Sequence, residues 1–409
     1  MAEEKQTSIS TTELVAILAM LAATTAFSID AMLPVMPEIA GDLSPDDPNR
    51  VQLIVATFLV GMGLGTLFTG PLSDAYGRRS IAVGGAIVYC LAAICAALAP
   101  NIETILAARL VQGLGAAGPR VVALAMTRDL FSGRQMARVI SFVMMVFALV
   151  PVFAPTLGAV IAWAFGWRMI FGSFVVFSIA SVGWLLLRQP ETLPIESRRP
   201  FRISEIINGV AEIGTNKKVV RAVIAQSLIY AMLFVVLMTS QPVFDHVFNR
   251  GTSYPFWFGL CAAISASASM INAAIVVRLG MQTVVARSLA LQVLTSLVFL
   301  GVLGTTSGYG DGVFAIFFVW MISVFFMAGL GIGNLNAIAM EPVGHIAGLA
   351  ASIISASATV IGAVVAVPVS LAFNGTPLPA LLGTLAAAVV CFFLVRGLDN
   401  KDCAETTVD

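Results

Sequence analysis

Long apolar runs alternate with short polar segments along the whole chain. A helix needs about 20 mainly apolar residues to cross the hydrocarbon core, because every backbone N–H and C=O inside lipid must be paired within the segment. This rule predicts twelve spanning helices. Their ranges are about 13–34, 51–70, 81–99, 103–127, 139–164, 169–187, 219–241, 255–277, 288–306, 313–338, 349–371 and 377–395. A polar stretch at 188–218 divides them into two sets of six.

Short sequence matches relate the two sets. A Gly-Leu-Gly triplet begins at Gly113 in the fourth span and again at Gly329 in the tenth, and a glycine follows the second span of each set, Gly77 and Gly280. Such matches indicate a duplicated unit, and parallel repeats about an axis along the membrane normal are one plan of transporters. We expect an all-α integral membrane protein with twelve transmembrane helices in two pseudo-symmetric six-helix bundles, 1–187 and 219–409, joined by a linker at 188–218.

Composition and charge support a lipid environment. Hydrophobic residues make up 59% of the 409 and charged residues 11%, against about 45–50% and about 25% in soluble domains. The formal net charge is zero, which argues against a nucleic-acid partner. Of the 22 basic residues, 17 fall on one side of the predicted spans. By the positive-inside rule both termini are cytoplasmic, which predicts a multi-pass protein of the bacterial inner membrane.

Asp30 is the one carboxylate placed well inside a predicted span. Burying such a charge costs roughly 2.5–3.5 kcal/mol, so the side chain should face a cavity or a partner. Desolvation favours the neutral form of a carboxyl group, and we therefore predict that Asp30 loads and releases a proton. The alternative is that Asp30 lies near the outer interface and caps the break at Pro34 and Pro37.

Two arginines share the fourth span. Arg109 and Arg120 are eleven residues apart, close to three turns, so both face the same way with Gln112 between them. We predict a structural and proton-gating role for Arg109, and leave Arg120 open between substrate binding and pairing with helix carbonyls. One acid against two bases indicates a cavity better suited to neutral or anionic cargo than to lipophilic cations.

Two segments have the features of a gate. The turn after the second span, GPLSDAYGRRS, has two glycines that permit close helix approach and charged side chains that can bind groups across the face. The fifth span has two prolines one turn apart, which predict a bend, followed by a small residue that lets another helix approach; the alternative is a packing kink without a role in transport. The predicted gating residues are Gly70, Asp74, Gly77, Arg78, Arg79, Pro151, Pro155 and Gly158.

Several other polar residues lie inside spans and could line a cavity, although interhelical hydrogen bonds explain them equally well. The predicted substrate-binding set is Arg120, Gln112, Gln226, Tyr230, Asn272, Asn334 and Asn336. The sequence contains no pairing of a nucleophile with a base that would indicate an enzyme. The two histidines, His246 and His345, fall in predicted loops and indicate no metal site.

In five segments the chain resembles the twelve-span drug:proton antiporters of the major facilitator superfamily, and more narrowly the Bcr/CflA subfamily. The matching segments are Gly70–Ser80, Arg109–Gly115 as RxxQGxG, Pro151–Gly158, Ile29–Ala40 as IDAMLPVMPEIA, and Met340–Ala351 as MEPVGHIAGLAA. The chain departs from the pattern at Leu124, where an arginine is expected; Arg120 lies one turn earlier.

The resemblance implies a rocker-switch exporter that uses the proton gradient, with no cofactor, to remove amphipathic molecules such as antibiotics. Asp30 and Arg109 would be the coupling pair, and Asp74 would stabilise one gate state. The expected partners are a small-molecule substrate, protons and the lipid bilayer, and the expected state is a monomer. Two alternatives remain: a dedicated exporter of one endogenous metabolite, such as an amino-acid derivative or siderophore, and a proton symporter for uptake. A membrane receptor or an intramembrane enzyme has less support, because no large soluble domain or catalytic group is evident.

Overall fold

Helices make up almost all of the part of the chain that the computed structural model describes, residues 9–306 and 308–398. Twelve of the helices in these ranges are long: α1 Thr11–Asp30, α3 Leu53–Tyr76, α4 Arg78–Ala97, α5 Ile102–Leu130, α6 Gly133–Phe165, α7 Arg168–Arg188, α9 Lys217–Pro242, α10 Tyr254–Leu279, α11 Met281–Thr305, α12 Asp311–Met340, α13 Ala347–Leu371 and α14 Leu378–Arg396. Two are short, α2 Met36–Leu43 and α8 Ile203–Thr215. The predicted all-helical fold class is confirmed.

Eleven helical runs in the described residues are long and apolar enough to cross a membrane. One of them, Asp311–Leu371, spans 61 residues and contains both α12 and α13, which a 3₁₀ segment at Glu341–Ile346 joins. Large apolar side chains such as Trp163, Leu187 and Val277 are exposed on the outward faces. Since such faces are stable only against lipid, the chain is a multi-pass membrane protein.

The first span ends earlier than its hydropathy predicts. Helix α1 stops at Asp30, a 3₁₀ turn at Leu33–Val35 contains Pro34, and α2 restarts with Pro37 in its first turn. Proline lacks the N–H that a continuing helix needs. The sequence predicted a polar linker at 188–218; within it the helix α8 forms and buries Ile206 and Ile213. His345 lies in the 3₁₀ segment and His246 in a short π-helical segment, Val243–Val247, rather than in open loops.

The two sets of helices show the predicted repeat in their packing. A Cβ at Gly113 would overlap the Phe58 carbonyl of α3, and one at Gly329 would lie 2.9 Å from Ala268 of α10, so the fourth helix of each set packs on the second. Gly77 and Gly280 adopt positive φ values of 95° and 81° and end those second helices. Only glycine takes this conformation without strain, which explains both glycines.

Contacts between the two sets run along two pairs of helices, α3 with α13 and α6 with α10. The tightest approaches occur at small residues: a Cβ at Gly63 would lie 2.6 Å from Val360, and one at Gly259 would lie 2.6 Å from the Val152 carbonyl oxygen. Residues 189–216 lie on one face of the bundle, which we call the linker face, and residues 44–49 and 372–377 lie on the opposite, far face. The chain ends predicted to be cytoplasmic, with Lys5 and Lys401, fall outside the described residues.

Candidate functional site

A cavity of about 570 Å³ opens on the linker face between the two sets of helices. Helices α3 and α5 form one wall, the start of α13 forms the other, and the linker borders the mouth. Its lining includes Thr66, Leu124, Asn336 and Ser355, with Arg78, Arg128, Arg199, Arg202, Asp74, Asp129 and Glu205 around the mouth. The cavity is lined from both halves, as alternating access requires.

Arg78 is the centre of an ionic network at the mouth. Its Nε donates to Asp129 Oδ2 at 2.9 Å, and its Nη1 donates to Asp74 Oδ1 at 2.5 Å and Ser73 Oγ at 2.7 Å. The guanidinium is nearly buried, with 8% of the side chain exposed, against 19% for Asp129 and 47% for Asp74. The network therefore ties the end of α3, the start of α4 and the end of α5 together.

Glu191 of the linker completes this network. Its carboxylate accepts hydrogen bonds from the backbone N–H groups of Arg78 at 2.9 Å and Arg79 at 3.1 Å, which are the free donors at the start of α4. A carboxylate at a helix N-terminus is favoured by both hydrogen bonding and the helix dipole. Arg79 in turn donates from Nη2 to the Leu186 carbonyl. The linker is thus bonded to the predicted gate.

The far face is closed by contacts between the two sets. Asn49 donates from Nδ2 to the carbonyl oxygens of Leu371 at 3.1 Å and Phe373 at 2.7 Å, at the end of α13. A small cavity of about 50 Å³ remains beside these bonds. The structure is therefore open to the linker face and closed to the far face.

Asp30 lies at the boundary between the two sets, where it is 5% exposed. It forms no hydrogen bond and no ion pair with any residue of the described chain. Tyr254, on α10 of the other set, is close enough to Asp30 for an electrostatic interaction. The Tyr254 hydroxyl forms a hydrogen bond with Ser240 Oγ at 3.0 Å. On its own side, a Cβ at Gly158 of α6 would overlap the carbonyl of Ala31, the residue after Asp30. A small residue at 158 is what allows α6 to pass this close.

Arg109 is fully buried and its bonds are with neutral groups. Its Nη2 donates to the Ser28 carbonyl at 3.1 Å, its Nε to the Ile54 carbonyl at 3.3 Å, and its Nη1 to Gln112 Oε1 at 2.7 Å. The guanidinium also lies 4.2 Å from the centre of the Phe58 ring, a cation–π contact. Within the described residues it forms no ion pair with Asp30, so the predicted coupling pair is not in direct contact here.

Arg120 has a different environment. It is only partly buried, and its one hydrogen-bond contact with the described residues is from Nη1 to the Met62 sulfur at 3.5 Å. Arg120 and Met62 lie one turn deeper than the cavity-lining Leu124 and Thr66 on the same helices. Tyr230 of α9, across the boundary between the two sets, is close enough to Arg120 for an electrostatic interaction. Arg120 therefore lies just beyond the deep end of the cavity lining, next to Val121.

The other polar residues predicted to bind substrate separate into two groups. Asn336 lines the cavity; Asn336 and Gln226 of α9 each have a buried side-chain oxygen without a hydrogen-bond partner among the described residues. Asn334 instead donates to Asn272 Oδ1 at 2.8 Å, between α10 and α12. This bond is the interhelical alternative that the sequence left open.

The predicted gating residues lie at the contacts described above. Gly70 lines the cavity, and a Cβ there would lie 2.9 Å from Ser352 Oγ of α13. Pro151 and Pro155 lie inside α6, which continues as one helix from Gly133 to Phe165. They flank Val152, whose carbonyl is next to Gly259, so the proline segment is where α6 meets the other set.

Sequence reasoning missed Asp129, Glu191, Ser28 and Tyr89. Tyr89 OH and Ser28 Oγ are hydrogen-bonded beside Arg109. Asp129 follows Arg128 at the end of α5. Glu191 lies in a polar linker, and Ser28 and Tyr89 are in apolar runs, so nothing local marks them.

In the described chain, twelve long helices in two sets enclose a cavity that is open to one face and closed to the opposite face, which is the arrangement of a membrane transporter of small molecules. Residues 16–367 match the family model of the Major Facilitator Superfamily, and the chain belongs to that family.

Curated relatives agree. The chain is 31% identical over 354 residues to an uncharacterized MFS-type transporter, YdgK, of Bacillus subtilis (strain 168), covering 85% of this chain and 86% of that one. It is 30% identical over 375 residues to a bicyclomycin resistance protein homolog of Haemophilus influenzae, covering 89% and 90%. It is also 30% identical over 246 residues to the multidrug resistance protein MdtL of Escherichia coli (strain K12 / DH10B), covering 59% and 61%. The predicted resemblance to the Bcr-type transporters is confirmed.

Solved structures agree on the fold. A crystal structure of a D-xylose–proton symporter aligns with a TM-score of 0.73 at 13% identity, covering 94% of this chain and 97% of that one. The human organic anion transporter MFSD10 (TETRAN) aligns with a TM-score of 0.67 at 17% identity, covering 94% and 99%. These similarities establish the major facilitator fold.

Proposed function

We propose that the chain exports small amphipathic molecules, antibiotics among them, in exchange for protons across the bacterial inner membrane. Asp30 carries this proposal: it is a buried carboxyl group without a countercharge, at the boundary between the two halves. An isolated buried carboxylate is neutralised more readily than it stays charged. Protonation at the boundary therefore changes the charge that the two halves enclose, which is what couples proton binding to their relative movement.

The names of the relatives support drug efflux. One is called a bicyclomycin resistance protein homolog and another a multidrug resistance protein. The linker face is then the cytoplasmic face, in accord with the basic residues at its surface, and both termini are cytoplasmic. Export by a rocker switch begins with the cavity open to the cytoplasm and ends with the bonds of Asn49 broken and the far face open. One chain supplies the whole cavity, in keeping with a monomer.

The proton gradient is sufficient as the energy source, without a cofactor. One charge that moves through 100 mV releases about 2.3 kcal/mol. This free energy sustains roughly a fiftyfold gradient of a neutral solute.

Energised everted vesicles test the proposal. A pH-sensitive dye in the lumen reports proton release when antibiotics and small metabolites are added. Vesicles with the wild-type chain should release protons with a transported compound, and Asp30→Asn vesicles should not. Asp311→Asn is the matched control, because Asp311 is an exposed far-face carboxylate paired with Arg250. Substrate-driven proton uptake would instead identify an uptake symporter, and a wild-type response from Asp30→Asn would reject Asp30 as the coupling group.

A further inference from the structure

Arg120 is a charged group without a countercharge in the described chain, and it directly precedes Val121, the deepest cavity-lining residue of α5. It forms no ion pair with a carboxylate of the described residues, and Asp30 does not contact it. A guanidinium has five N–H donors, and here the one hydrogen-bond contact is with a thioether sulfur, a weak acceptor. Arg109, about three turns earlier on the same helix, shows the contrast: its bonds to two carbonyls and an amide oxygen leave no role for a ligand.

The mouth of the cavity also favours negative charge. Four arginines and three carboxylates line it, and two of the carboxylates, Asp74 and Asp129, are already bonded to Arg78. Arg128 and Arg199 have no carboxylate partner in the described chain. The mouth therefore has a formal excess of one positive charge, carried by arginines without a bonded acid, and such an excess within low-dielectric walls attracts anions.

The groups opposite Arg120 suit the rest of an amphipathic molecule. Tyr230 and Phe234 of α9 stack with ring centres 5.4 Å apart, which provides an aromatic surface. Gln226, one turn from Tyr230, has a side-chain oxygen without a partner, and so does Asn336 of α12. Arg120 belongs to one half and these residues to the other, so a ligand between them contacts both halves.

Resting on the export proposed above, we infer that the preferred cargo is an amphipathic organic anion, a carboxylate, whose charged end binds the Arg120 guanidinium. The planar fork of arginine matches a carboxylate with two parallel hydrogen bonds. The apolar body then lies toward Tyr230, and the free amide oxygens of Gln226 and Asn336 accept hydrogen bonds from donors on the cargo.

Binding measurements on the purified full chain in detergent test this inference without the proton gradient. The probes are matched sets of an aromatic carboxylate, its methyl ester and the corresponding methylammonium compound, built on naphthalene, quinoline and indole. Titration calorimetry compares wild type with Arg120→Gln, Arg120→Lys and Arg120→Glu. Arg50→Gln is the matched control, since Arg50 is a far-face arginine paired with Glu103.

On at least one scaffold the acid should bind wild type about tenfold more tightly than its ester does. Arg120→Gln should lower the affinity for the acid by about 10- to 100-fold and leave the affinity for the ester unchanged. Arg120→Lys should keep part of the preference, Arg120→Glu should favour the ammonium compound, and Arg50→Gln should match wild type. The inference is overturned if no acid binds more tightly than its ester, or if Arg120→Gln keeps the preference.

The same probes in energised vesicles separate the two proposals. Proton release by esters or amines, with acids ineffective, would contradict the anion site and leave proton antiport standing. Acids that bind through Arg120 but release no protons would contradict antiport and leave the anion site standing.

Discussion

The Arg109 guanidinium donates a hydrogen bond to the backbone carbonyl of Ser28, 3.1 Å away and two residues before Asp30. The buried arginine therefore holds the end of α1 rather than the Asp30 carboxyl group itself. Because Arg109 also bonds the Ile54 carbonyl of α3, it joins α1, α3 and α5 at the level of the proposed proton site.

Removal of Arg109 should cost stability as well as transport. Arg109→Leu leaves the Ser28 and Ile54 carbonyls without their donor in a dry interior, which should cost about 3 kcal/mol or more. Thermal unfolding in detergent should show a clear fall in Tm. Arg50→Leu removes an exposed far-face arginine and should change Tm little. A transport-dead Arg109→Leu protein with a wild-type Tm would show that the role of Arg109 is not structural.

The Arg78 network should show unequal coupling to its two acids. Asp129 is more buried than Asp74, 19% against 47% of the side chain exposed, so solvent screens it less. Double-mutant cycles of Arg78→Gln with Asp129→Asn should give a coupling energy of about 1.5–3 kcal/mol. The cycle with Asp74→Asn should give about 1 kcal/mol or less. Equal couplings, measured by chemical unfolding, would mean that burial does not rank the two pairs.

Gly158 should not tolerate even one added methyl group. Gly158→Ala places a Cβ against the Ala31 carbonyl, so α6 must move away from α1, at a cost of about 1–3 kcal/mol. Gly183→Ala is the control, because nothing lies within 4 Å of a Cβ there and alanine favours helix. Tm and the transport rate should fall in Gly158→Ala and remain at the wild-type level in Gly183→Ala. Wild-type transport by Gly158→Ala would show that the close approach of α6 is dispensable.

Asn49→Ala should open the far face. The change removes two hydrogen bonds between the halves, worth about 1 kcal/mol each, so the open population should rise about 5- to 30-fold. A single cysteine at Met238, which lines the small far-face cavity, reports opening by maleimide labelling in a background without native cysteines. Asn374→Ala is the control, since the Asn374 side chain accepts a hydrogen bond from Thr376 in the same loop and has no bond to the other set in the described chain. Unchanged labelling in Asn49→Ala would rule out these bonds as a latch.

The sequence predicted the helices well because lipid imposes a simple length rule. Helix α9 begins at Lys217 and ends at Pro242, against a prediction of 219–241. The two exceptions have different causes, one local and one tertiary. Proline ends α1 at Asp30, inside an apolar run, and α8 is too short for a span and becomes a helix through packing of Ile206 and Ile213 on α9 and α13.

The candidate site was less predictable, because hydrogen-bond partners far apart in sequence depend on tertiary packing. A charged residue inside a predicted span was the signal that marked Asp30, Arg109 and Arg120. The sequence could not show that Arg109 bonds carbonyls while Arg120 contacts a sulfur. Asn272 and Asn334 were indistinguishable from cavity residues until the structure placed them in contact. Glu191 was invisible because its role depends on where the linker meets α4.

The most direct test of proton coupling uses purified protein in proteoliposomes, with the same labelled substrate in two assays. Wild type should exchange substrate across the membrane and also accumulate it against its gradient when an imposed pH gradient supplies protons. Asp30→Asn should keep substrate–substrate exchange, which needs no net proton movement, and lose pH-driven accumulation; Asp30→Glu should retain part of it. Accumulation by Asp30→Asn at the wild-type level would contradict the central claim that Asp30 binds the coupled proton.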